Sequence, residues 1–296
     1  MFNILAPKES TLSYKLREKL WWYLVSIATH SKTIVDPKEV ESRHKVRVAI
    51  RRLDALLSAF HAYIDRSQIE SDLNEINRVR KTCGKVRDLD LFIALLEQRE
   101  SGGEKPDDYI ARVIGNVAKE RKAEIRKLKI AIKPLPGRKI LKPLDERFES
   151  AILGSAETEQ FAIASRSILQ PMIARYLQSA REVETDPMST EAWHQLRIEG
   201  KYLRYLLEEM QTTPIVFATL IRLLKQSQDD IGAMHDCDGQ LVRIDSILHE
   251  AKHPARAAMY FTPTQNHLRS RWEESRMKAL RDLPMVLRSM RSLSEP

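Results

Sequence analysis

Two short stretches carry histidine, arginine and lysine at helical spacing: HKVRVAIRR at residues 44–52 and HQLRIEGKYLR at residues 194–204. On a helix, His44, Arg47 and Arg51 fall on one side, with Arg52 toward its edge. Val46, Ala49, Ile50, Leu53, Leu56, Leu57 and Phe60 fall on the other, so the helix is two-faced. The second stretch repeats the split. His194, Arg197, Lys201 and Arg204 share a side, Leu196, Leu203, Leu206, Leu207 and Met210 lie opposite, and Tyr202 and Tyr205 flank the basic stripe. Like charges three or four residues apart cost a helix roughly 0.2–0.5 kcal/mol per pair. Residues 43–52 contain no acid to relieve that cost. One source of neutralisation is a bound anion, because phosphate oxygens accept paired bonds from guanidinium and a row of them matches a row of arginines. The other is internal pairing with Asp88 and Asp90, or with Asp236 and Asp238. A histidine among cations is pushed toward neutrality, and a bound anion pushes it back toward charge.

The acids belong to a second pair of motifs, CGKVRDLD at 83–90 and IGAMHDCD at 231–238. Gly84 matches Gly232, Asp88 matches Asp236 and Asp90 matches Asp238 at an offset of 148, close to the 150 that relates His44 to His194. Each glycine reads as the end of one helix and the turn into the next. Asp88 and Asp236 then read either as caps of the following helix or as acids that hold arginine heads in place for a ligand. Aspartates two apart on a helix point to different faces and no third donor accompanies them, so neither a metal nor a cofactor is expected.

The elements that must position these residues are helices. Glycine is scarce (9), 30% of residues are charged and 43% are hydrophobic, with few alternating β-branched runs. Helical periodicity places helices near 10–31, 37–62, 67–82, 87–100, 106–133, 159–183, 189–210, 214–231, 237–251 and 256–281. Gly102-Gly103 and the Pro134, Pro136, Gly137 group read as breaks. Asp36 reads as the cap of the first motif helix with Pro37 in its first turn, and Ser189 or Thr190 as the cap of the second. The two motifs in the same order, at nearly one offset, predict an internal duplication. The expected fold is all-α: two pseudo-symmetric antiparallel four-helix bundles with a basic groove or pore between them. Its halves are residues 10–150 and 158–290 of a single domain over 8–290.

The 296 residues carry a net charge of +8, with a pI of about 9.4. The excess is confined to residues 1–150, which hold 31 Lys and Arg against 22 Asp and Glu; the remainder holds 18 against 19. This favours polyanionic partners: nucleic acid, anionic lipid or phosphate polymers. The segment 119–133, KERKAEIRKLKIAIK, reads as a solvated face or an extension of an anion groove. Cys83 and Cys237 match no metal or redox spacing, which suits a reducing compartment. MFNILAPKES lacks a signal-peptide pattern, and LWWYLVSIA at 20–28 is too short to span a bilayer. A cytoplasmic protein is expected.

The paired H-x-x-R-x-x-x-[RK] helices, each followed by a glycine and an acidic motif, resemble the CHAD family, the conserved histidine α-helical domain. HKVRVAIRRLDALLSAF and HQLRIEGKYLRYLLEEM look like its signature helices, and CGKVRDLDLFIALL looks like its G-x-x-R-D-x-D segment. The similarity covers roughly residues 8–285. It implies binding of inorganic polyphosphate, in some members with association to polyphosphate granules. Carried across by position, the ligand-facing residues are His44, Arg47, Arg51 and Arg52, with His194, Arg197, Lys201 and Arg204. Lys45, Arg80, Lys81, Lys85 and Arg87 are additional anion contacts, and Asp88, Asp90, Asp236 and Asp238 support them. The chain departs from the family pattern at Asp54, where a further cation is common, and in HDCD, which replaces RDxD. Many members are fused to a β-rich triphosphate-tunnel hydrolase domain; no E-x-E-x-K segment occurs here, so a stand-alone, non-enzymatic module is expected.

Three other readings compete. Nucleic acid shares the charge logic but wants aromatic stacking platforms, and aromatics are 6% of the chain, with Tyr202 and Tyr205 the best placed. A metal-dependent phosphohydrolase would need the four motif aspartates to hold Mg²⁺, without a P-loop. A helical scaffold for a protein partner would make no use of the basic stripe.

Overall fold

Leu12, Leu16, Leu20, Leu24 and Ile27 recur at helical spacing, and none is more than 2% exposed. They are the buried edge of α1 (Leu12–Ser31), whose start is capped by the Thr11 side chain accepting from the Tyr14 backbone N–H at 3.4 Å. The computed structural model describes residues 11–36, 39–100, 108–133, 138–210 and 215–294. After α1 come α2 (Val40–Ala59), α3 (Glu70–Glu100), α4 (Asp108–Ala131), α5 (Arg138–Ser150), α6 (Phe161–Thr185), α7 (Thr190–Glu209), α8 (Ile215–His249) and α9 (Pro254–Ser294). Short 3-10 turns occur at His61–Tyr63, Arg66–Ile69 and Gly154–Glu157. The described residues form no strand, only isolated bridges between Thr11 and Gln160 and between Ile64 and Ile152. The protein is therefore all-helical. No described helix is long and apolar enough to cross a membrane.

The chain divides into two compact units, Met1–Arg166 and Ser167–Pro296. In the first, α1 packs on α2 and α5, while α3 packs on α4 and α2. In the second, α8 packs on α7 and along α9. There the Tyr176 ring of α6 reaches Gly200 of α7, where an added Cβ would stand 3.0 Å from Cε2 of that buried ring.

The expected helix ends at Gly84 and Gly232 are not there. Both glycines lie inside α3 and α8, which run unbroken for 31 and 35 residues. A glycine in a helix interior costs about 1 kcal/mol relative to alanine. Against it stand buried rows that continue on both sides: Ile76, Val79, Cys83, Val86, Leu89 and Phe92 in α3, and Leu220, Leu224, Ile231, Met234, Cys237 and Ile244 in α8. Each such burial contributes about 1.5–3 kcal/mol, so the helix continues. Asp88 and Asp236 are consequently mid-helix residues and cap nothing. Asp36 is not the cap of α2 either; the cap position is Glu39, with no side-chain cap bond. In the second motif helix Ser189 caps as expected, accepting from the Ala192 N–H at 3.1 Å. The helix α5 was not expected, and is held by the buried Leu144 and Phe148, four residues apart. The last helix extends past the expected 281 to Ser294, through Pro284. The readings placed on residues 1–10, Pro37, Gly102-Gly103, Pro134, Pro136 and Gly137 lie outside the described residues.

Candidate functional site

The basic face of α2 centres on Arg47. Its side chain belongs to a residue only 8% exposed, and its Nη1 finds no hydrogen-bond partner among the described residues. Burial, then the neighbouring Arg51 and Arg87, bring its pKa down to about 10, while Asp88 and Cys83 act the other way. The guanidinium thus stays charged at neutral pH. Its electrostatic neighbours show that α3 brings the 83–88 turn of helix against α2. Cys83 is buried there, and burial pushes its thiol up to about 11 against the pull of Arg47 and Arg43.

The other predicted residues of this half divide by exposure. His44, Lys45, Lys81 and Lys85 are exposed, and Arg51, Arg52, Arg80 and Arg87 are half-buried. Lys45 lies 3.7 Å from Glu41, and Arg80 Nε donates to Asn77 Oδ1 at 3.0 Å. Asp88 belongs to the group around Arg47. Asp90 has another role. It pairs with Arg43 Nη2 at 3.6 Å and with Arg121 Nε of α4. Arg43 is 3% exposed and also donates to the backbone carbonyls of Ile34 at 3.3 Å and Asp36 at 2.7 Å. These contacts fasten the α1–α2 connection, α3 and α4 together. Asp54, the departure from the family pattern, pairs with Arg66 at 3.7 Å.

In the second unit, α7 supplies His194, Arg197 and Lys201, and α8 brings His235 and Asp236 to them. The rings of His194 and His235 lie 5.4 Å apart between centroids. Partial burial, then Arg197 and His194, push the pKa of His235 down to about 4, with Asp236 opposing and Lys201 adding to the shift, although the side chain is exposed to solvent. The sequence reading did not single out His235. The signal was present: His235 falls on Arg87 at the same offset of 148 that pairs the acid motifs.

Two predicted residues of this half face elsewhere. Arg204 Nε donates to Gln228 Oε1 at 2.9 Å, its Nη1 meets Glu208 at 2.5 Å, and its guanidinium stacks 4.7 Å from the Tyr205 ring. Asp238 sits against Trp272 of α9; burial raises its pKa and the indole opposes the shift. Among the described residues no three His, Cys, Asp or Glu side chains gather as metal donors. The arrangement can therefore present clustered guanidinium, ammonium and imidazole groups to an anion, with one carboxylate beside each cluster.

Comparison with known proteins places the fold. The CHAD domain profile matches residues 20–245. The crystal structure of the CHAD domain from the plant Ricinus communis superposes with a TM-score of 0.70 at 19% identity, over 95% of this chain and 92% of that one. PptA from Streptomyces chartreusis superposes with a TM-score of 0.69 at 15% identity, over 93% and 100%. At these identities the likeness is one of fold. No curated protein sequence matches the chain. With the profile spanning most of its length, the chain belongs to the CHAD domain family.

Proposed function

We propose that the protein binds inorganic polyphosphate, as a recognition module and not an enzyme, through the basic faces of α2 and α7. The observation that carries this reading is Arg47. A charged arginine whose residue is nine-tenths buried, with Nη1 unsatisfied among the described residues, carries a desolvation cost that nothing nearby fully offsets. A phosphate oxygen supplies the missing acceptor as a charge-assisted bond. Arg51 and Arg87 belong to the same cluster, and a contribution from the exposed His44, Lys45, Lys81 and Lys85 is part of the proposal. His194, Arg197, Lys201 and His235 form its counterpart in the second unit. That both clusters serve one polymer is part of the proposal and rests on the repeat in the sequence. So are the duplicated four-helix bundles with a basic groove, and a cytoplasmic location that includes polyphosphate granules.

Nucleic acid is the less favoured ligand on a specific ground. Tyr205 is 5% exposed beneath Arg204 and offers no face to a base, while Tyr202 is half-buried. The test is calorimetry with long-chain polyphosphate and with a mixed-sequence oligonucleotide, at low and high salt. It uses the wild type and Arg47→Ala/Arg197→Ala, each checked for folding by circular dichroism. Tight polyphosphate binding is expected, falling steeply with salt as counterions are released and lost in the folded double variant. No binding, or affinity flat with salt, overturns the reading. Turnover of the polymer to phosphate by the purified protein moves it to a phosphohydrolase.

A further inference from the structure

Gly84 and Gly232 hold equivalent places in the two acid motifs, each inside a long helix. A Cβ built at either position meets no atom within 4 Å among the described residues. Packing therefore gives no reason for glycine there, and alanine would make both helices more stable. Gly200 is the contrast, since a methyl group at that position runs into Tyr176.

What borders the open positions is basic. Arg80 lies four residues before Gly84 and Arg87 three residues after, on the same stripe of α3. Arg47 interacts electrostatically with Cys83, Arg87 and Asp88, on both sides of that glycine. Arg47 is nine-tenths buried as a residue, with Nη1 unpartnered among the described residues. On α8, His235 follows Gly232 by three residues and joins His194, Arg197 and Lys201.

We infer that each glycine forms the floor of the polyphosphate-binding surface of its own unit: bare helix backbone against which an unbranched phosphate chain lies, beside the cations of that unit. This rests on the polyphosphate reading and adds a shape requirement to it. A slender chain of phosphates approaches a helix backbone that a polymer carrying sugars and bases is held away from. A methyl group at either position lifts the chain from the helix and lengthens the charge-assisted bonds, which weaken steeply with distance and misalignment.

The experiment compares Gly84→Ala, Gly84→Leu and Gly232→Ala with Gly115→Ala, a glycine of α4 where an added Cβ also meets nothing within 4 Å among the described residues. Affinity for long-chain polyphosphate is measured by calorimetry and stability by thermal unfolding. All three alanine variants are expected to melt roughly 2–4 °C higher. Gly84→Ala and Gly232→Ala are expected to bind about tenfold more weakly, equivalent to about 1.4 kcal/mol, with Gly84→Leu weaker still, while Gly115→Ala keeps wild-type affinity. If the wild type binds and the motif variants match it, the glycine floor is overturned while the polyphosphate reading stands. Equal weakening in Gly115→Ala also overturns it. If the wild type does not bind, the functional reading falls, and the floor with it.

Discussion

His194 of α7 and His235 of α8 hold their rings 5.4 Å apart and tilted by 40°. Partial burial and the surrounding Arg197, His194 and Lys201 keep His235 neutral, with a pKa of about 4. A bound polyanion reverses the balance by favouring the imidazolium, so the pKa in the complex lies above that of the free protein. Binding then takes up a proton, and affinity rises as pH falls through the raised value, by up to about tenfold per pH unit. Calorimetry between pH 8 and 5 should show tightening toward acid, and His235→Gln should flatten the profile. An unchanged pH slope in that variant would remove His235 from the site.

The same group makes the ligand-free protein acid-sensitive. Its folded pKa of about 4 lies below the ordinary 6.5, so the unfolded chain takes the proton first. The stability contributed by the neutral ring is complete above pH 6.5 and is lost as pH falls toward 4. Chemical denaturation at pH 7.5 and 5 should show a smaller drop for His235→Gln than for the wild type, and polyphosphate should protect the wild type in the acid range.

Arg47→Met separates binding from folding. Methionine keeps much of the buried volume and removes a guanidinium whose Nη1 has no acceptor among the described residues. Stability should stay within about 1 kcal/mol of wild type or rise. Polyphosphate affinity should fall about 10- to 100-fold, the worth of one charge-assisted bond of about 1.5–3 kcal/mol. A large loss of stability in urea would make Arg47 a structural residue and remove the main support for the anion site.

Arg43→Met should do the opposite. This side chain binds two carbonyls and Asp90. Removing it leaves two backbone carbonyls without this donor and the half-buried Asp90 with Arg121 alone, at a cost of about 3 kcal/mol, with little effect on the affinity of the folded protein. Urea unfolding and calorimetry on the same variant check both halves of the expectation. A loss below about 1 kcal/mol would show that Arg121 alone suffices to hold Asp90.

Arg43 and Arg47 also show what could be read in advance. The two faces of α2 and α7 were legible because the apolar rows of both helices follow the helical period without interruption. Arg43 lies next to the apolar arc, the mark of a buried arginine, but its partner Asp90 was legible only as one of four acids. Which cation an acid meets depends on where α4 brings Arg121, and no local pattern encodes that. The helix ends assigned to Gly84 and Gly232 failed for a different reason. A penalty of about 1 kcal/mol at one residue does not stop a helix whose buried row resumes three or four residues later. His235 is legible through its alignment with Arg87 at the offset that pairs the acid motifs, but its meeting with His194 depends on how α8 packs against α7.

Gly200→Ala should destabilise, in contrast to the alanine variants at Gly84 and Gly232. The new Cβ would stand 3.0 Å from Cε2 of Tyr176 and 3.6 Å from Nε2 of Gln228, whose Oε1 holds Arg204. Leaving glycine gains about 1 kcal/mol of helix propensity, but overpacking a core typically costs about 1–3 kcal/mol. Tyr176 is 1% exposed, and a ring packed in a core yields only at the cost of its own contacts, so a net loss of about 1 kcal/mol is expected. The check is a double-mutant cycle with Tyr176→Leu, followed by chemical denaturation. Without the ring, Gly200→Ala should become neutral or stabilising, giving a coupling energy of about 1 kcal/mol or more. Additive effects would mean that the Tyr176 ring of α6 does not set the residue at Gly200.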